Sequence, residues 1–137
     1  MTKPRMLTLT IVIAHWIDAI GHLFLAAKIL PAPNNRVSWL AVLLISLGHL
    51  VVSAALWKLS DKLAGLLSLI FFLAAITADL YEHFVQVAPN NVFMVSPGNW
   101  TAPFVASVVV LLALELAGCS LGTLLFGGGK RLRDRVA

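Results

Sequence analysis

Four uninterrupted apolar runs, near residues 7–29, 37–57, 63–87 and 103–126, constrain this 137-residue chain more than any other feature. Each is long enough to cross a hydrocarbon core about 30 Å thick, which takes about 20 helical residues. A backbone in lipid must satisfy its own hydrogen bonds, so the runs are predicted as helices. The breaks between them carry turn chemistry: "PAPNNRVS", then "KLSDK", then "APNNVFMVSPGNWTAP". With 60% hydrophobic and 12% charged residues, the chain reads as all-α. We expect one domain over 1–137, a polytopic membrane protein folded as a four-transmembrane-helix bundle.

The basic residues give the direction. Lys3, Arg5, Lys58, Lys62, Lys130, Arg131, Arg133 and Arg135 fall on one side of this layout, and only Lys28 and Arg36 on the other. By the positive-inside rule both termini are expected to be cytoplasmic. The net charge of +4 could suggest nucleic acid, but the charges flank the spans instead of forming a patch, so no nucleic-acid partner is expected. A single cysteine, Cys119, excludes an intrachain disulfide or a cysteine metal cage. The expected setting is the lipid bilayer of a prokaryotic cytoplasmic membrane, with other membrane subunits or a homo-oligomer as partners.

The distribution of ionisable groups points to function. Of six Asp and Glu and four His, only Asp61 and Asp134 fall in loops. His15, Asp18, His22, His49, Asp79, Glu82, His83 and Glu115 all lie within predicted spans. A carboxylate at mid-span costs about 2.5–3.5 kcal/mol on the insertion scale, so such groups need partners, protonation or a task. At about 1.5 Å of rise per residue, Asp18 lies about 17 Å along its span and Asp79 about 24 Å along its own. His49 and Glu115 come at comparable depth, so every helix contributes to one polar band from the midplane to the outer half.

Two spans repeat one spacing, Asp18-x-x-x-His22 and Asp79-x-x-x-His83, and each is followed by "APNN", at 32–35 and 88–91. Residues four apart share a helix face, which puts each Asp beside its His, with His15 on the first stripe and Glu82 on the second. A parallel internal duplication would explain the pattern. Gly21 and Gly48 are expected to allow close helix approach.

Several chemistries fit such a core. Asp18, His22, Asp79 and His83 have the ligand types for a metal ion. His22, His49 or His83 could serve a haem as axial ligand. Imidazole and carboxylate together could bind a quinone head group and relay its protons. His15, Glu82 and Glu115 would complete any of these sites. The bland alternative is a structural or assembly subunit whose Asp/His pairs only cement helix packing. No nucleophile with a base partner is visible, so an enzyme acting alone is not expected.

The segments "IGHLFLAAKIL" and "LGHLVVSAALWKLSDKLAGLLSLIFFLAAITADLYEHF" resemble the DoxX-like group of small four-helix membrane proteins, which share a first span of this kind, a compact helix-turn-helix and an Asn-x-Tyr-like element ending the third span. Here that element is Asp79-Leu80-Tyr81, and His49 stands where the group often has a glutamate in span two. The resemblance implies an accessory component of a membrane redox assembly or of quinone chemistry.

Overall fold

The computed structural model of the protein describes residues 1–31 and 36–133, with side chains through 128. The first "APNN" and the basic side chains of Lys130, Arg131, Arg133 and Arg135 therefore lie outside the described residues.

The described chain is all-helical: α1 Lys3–Ile29, α2 Trp39–Lys58, α3 Asp61–Leu80 and α4 Thr101–Arg133. All four are long and apolar enough to cross a membrane. A π-helical turn, Tyr81–Val85, extends α3 to the full length of a span. Local chemistry sets the helix starts. A proline in the first turn of α1 leaves no N–H to satisfy there. The Ser38 and Ser60 hydroxyls accept from Ala41 N and Leu63 N, capping α2 and α3.

The helices stand in a ring in sequence order, each beside the next, with α4 closing against α1. Arg5 fixes one end of the ring. It pairs with Asp61 and donates to the carbonyls of Leu56 (3.0 Å) and Leu59 (2.6 Å), tying the start of α1 to the α2–α3 connection. The helix C-terminus of α2 supplies carbonyls without intrahelical partners, and the guanidinium fork meets two of them.

Polarity is inverted relative to a water-soluble bundle. Leu40 and Leu50, at 64% and 66% exposed, face outward, while Glu115 at 0% and His83 at 2% are inside. An apolar exterior around a polar interior is the arrangement a bilayer solvates. The half of the bundle near the termini is dry: Val12, Val52, Leu56, Ala64, Phe72 and Leu125 pack into one cluster. Here α3 and α4 approach most closely. A Cβ added to Gly65 would lie 2.4 Å from Phe126 N and 2.8 Å from Gly122 O, and one on Gly118 would strike the Phe72 ring at 2.3 Å. The expected close approach at Gly21 is absent, since nothing lies within 4 Å of its added Cβ, and Gly48 meets only the Phe71 ring edge at 3.1 Å. The small-residue contact belongs to the α3–α4 pair instead, through Gly118-x-x-x-Gly122.

Candidate functional site

Above the dry half a cavity of about 260 Å³ opens among all four helices. His15, His22, His49, Asp79, Glu82, His83 and Glu115 all line it. Seven groups of the predicted polar band therefore share one cavity. Of the intramembrane ionisable groups expected to gather there, Asp18 alone stays outside the lining.

The floor is a chain of hydrogen bonds whose direction follows from its anchor. A carbonyl can only accept, so His49 Nδ1–H donates to Ile45 O (2.6 Å), which leaves His49 Nε2 as an acceptor. His15 Nδ1–H then donates to that Nε2 at 2.7 Å, the two rings stacking at 5.0 Å between centroids. The remaining nitrogen, His15 Nε2, stands 3.2 Å from Glu115 Oε1, a contact that needs one proton on either atom. Glu115 Oε2 is buried and has no donor partner among the described residues. Asp79 lines the same cavity as Glu115. Edge contacts from Phe71 and Phe72 hold the His15 ring in place.

Nearer the mouth, the Ser107 hydroxyl donates to Phe104 O (2.7 Å) and so accepts from His22 Nδ1–H at 2.8 Å. His83 Nδ1–H donates to the Asn90 carbonyl at 3.1 Å. Both imidazoles thus keep an Nε2 lone pair with no partner among the described residues. Their rings meet edge to face at 4.8 Å, walled by Phe104. The π-turn sets this geometry: Gln86 N bonds back to Tyr81 O at 2.8 Å, and Val92 N bonds to His83 O at 2.9 Å, folding the following loop over the helix end. Such turns rotate side chains away from the regular helical register and recur at functional sites. Exposed Glu82 accepts from Asn90 Nδ2 at the rim.

The two Asp-x-x-x-His pairs do not form as expected. His22 is bonded to Ser107 and His83 to Asn90, so neither imidazole is hydrogen-bonded to the Asp of its own motif. Asp79 lines the cavity with Glu115, and Asp18 keeps a buried Oδ2 without a partner among the described residues. The two copies of the motif therefore stand in different surroundings, and the site is not symmetric. Among the described residues no group of three or more His, Cys, Asp or Glu converges as a metal set. Ser107, Phe104 and the Asn90 carbonyl are site groups that sequence reasoning missed. Ser107, a hydroxyl inside an apolar span three residues after Phe104, was the available signal.

Fold and site together define a small four-helix protein with spans of membrane length and a cavity lined by histidines and carboxylates. Comparison with protein-family models, with curated proteins and with solved structures finds no match to the chain.

Proposed function

We propose that this chain is a small integral membrane subunit, with both termini cytoplasmic, that serves a membrane redox assembly by binding a quinone-type head group in the four-helix cavity. One observation carries this reading: seven ionisable side chains from all four helices line a single cavity in the half of the molecule farther from the termini. Ionisable groups gathered inside a membrane bundle are costly and mark a functional site by default. The volume supports a small ligand. At about 260 Å³ the cavity is smaller than the usual range for drug-sized ligands, which suits a single substituted ring and is too small for a porphyrin. His15 and His49 have both ring nitrogens engaged, so neither is free to serve as an axial haem ligand. The DoxX-like resemblance supports the same context.

A structural subunit is the second reading, favoured by the imidazoles that bridge helices: His15 to His49 joins α1 to α2, and His22 to Ser107 joins α1 to α4. The discriminating experiment is purification in mild detergent, solvent extraction of bound lipids, and an absorption spectrum with elemental analysis of the same sample. The proposal expects near-stoichiometric quinone in the extract, lost in an Asp79→Leu variant with an unchanged helical circular-dichroism spectrum. Protein free of quinone that binds none when it is added back would leave the structural reading. A Soret band or stoichiometric metal would replace the quinone by that group.

A further inference from the structure

The hydrogen-bond directions restrict the ligand further. Among the described residues, the uncommitted polar atoms of the lining are acceptors: Nε2 of His22, Nε2 of His83, Glu115 Oε2 and the carboxyl oxygens of Asp79. Among the described residues the lining holds no lysine, arginine, hydroxyl or amide side chain, and both Nδ1–H donors of the upper imidazoles are already spent on Ser107 and Asn90. The protons at the floor lie inside the His49–His15–Glu115 chain. The walls between these acceptors are apolar, formed by Leu23, Ile45, Phe71 and Leu111.

We infer that the cavity takes a ring bearing hydroxyl donors, the dihydroxy form of the head group, in preference to the acceptor-only dione. This rests on the proposed quinone-type function and sharpens it. A 1,4-dihydroxy ring presents one O–H toward the imidazole pair and the other toward the Asp79/Glu115 carboxyls, and its flat apolar faces meet the hydrocarbon walls. A dione would set its carbonyl oxygens against lone pairs, leaving buried acceptors on both sides without donors. Sites built for a donor discriminate strongly against analogues that lack it. The lone pairs of His22 and His83 receive the hydroxyl hydrogen bonds, so these residues position the head group.

The test is equilibrium binding of durohydroquinone and duroquinone to the full chain in nanodiscs under anaerobic conditions. The ring methyls block addition by Cys119. The expected result is dihydroxy binding at least about tenfold tighter than dione binding. Double replacement by His22→Phe and His83→Phe should reduce the preference to near unity. Because those variants could fail to fold, the unsubstituted protein is read as well: ¹⁵N resonances of His22 and His83 Nε2 should move on adding durohydroquinone and stay on adding 1,4-dimethoxybenzene, a ring without donors. Equal or tighter dione binding would overturn the inference and leave the quinone-type reading standing. Binding of neither form would end both. Methylammonium binding where neither ring binds would also overturn it, assigning the acceptors to a cation.

Discussion

At the scale of single residues, the account turns on tautomers fixed by carbonyl and hydroxyl partners. Ser107 is the simplest lever. Its oxygen is the acceptor for His22 Nδ1–H, so Ser107→Ala leaves a buried donor unpaired and should lower stability by about 1–3 kcal/mol. Reversible unfolding in mixed micelles measures this, and a change below about 0.5 kcal/mol would mean that His22 finds another acceptor. Asp18 behaves oppositely. Its Oδ2 is buried without a partner among the described residues and it does not line the cavity. Asp18→Asn should therefore leave ligand binding unchanged and keep or raise stability, whereas Asp79→Asn should weaken binding. Equal loss in both variants would show that the two motifs act alike after all.

Between helices, packing is decided where α3 meets α4. Gly65→Ala places a methyl 2.4 Å from a backbone nitrogen, and such overpacking typically costs about 1–3 kcal/mol. Gly21→Ala meets nothing within 4 Å and, as a glycine-to-alanine change inside a helix, should stabilise by about 0.5–1 kcal/mol. Thermal unfolding of the two variants side by side reads the contrast, and a tolerated Gly65→Ala would contradict the close approach. The Arg5 clamp offers a third check. Arg5→Met removes the donor to Leu56 O and Leu59 O, so hydrogen exchange should rise at the α2–α3 connection and nowhere near the cavity.

For the molecule as a whole, the four helices were legible because length and hydropathy in lipid leave the backbone few choices. α1 starts at Lys3 and not near residue 7, since its first turn, carrying Lys3 and Arg5, continues the helix beyond the apolar run. The polar band was legible too, because charged and imidazole groups in spans stand out against their apolar surroundings. Their pairing was not. Helical periodicity places Asp79 beside His83, but it cannot anticipate a π-turn at Tyr81–Val85 or a loop carbonyl at Asn90 that takes the imidazole away. Nor does the spacing Asp18-x-x-x-His22 reveal that Ser107, on a helix far along the chain, supplies the partner. Long-range partners follow from how helices dock, and that depended on glycines in α3 and α4, whereas the sequence drew attention to Gly21 in α1 and Gly48 in α2.

The central claim is that imidazoles from α1, α2 and the π-turn after α3, with a carboxyl from α4, line one cavity with hydrogen-bond directions fixed by their partners. The measurement that tests it most directly is ¹⁵N magic-angle-spinning NMR of histidine-labelled protein in lipid bilayers. The account predicts protonated Nδ1 at His22, His49 and His83, lone-pair Nε2 at His22 and His83, and a through-space correlation between His15 Nδ1 and His49 Nε2. Nε2–H tautomers at His22 and His83, with no His15–His49 correlation, would contradict it.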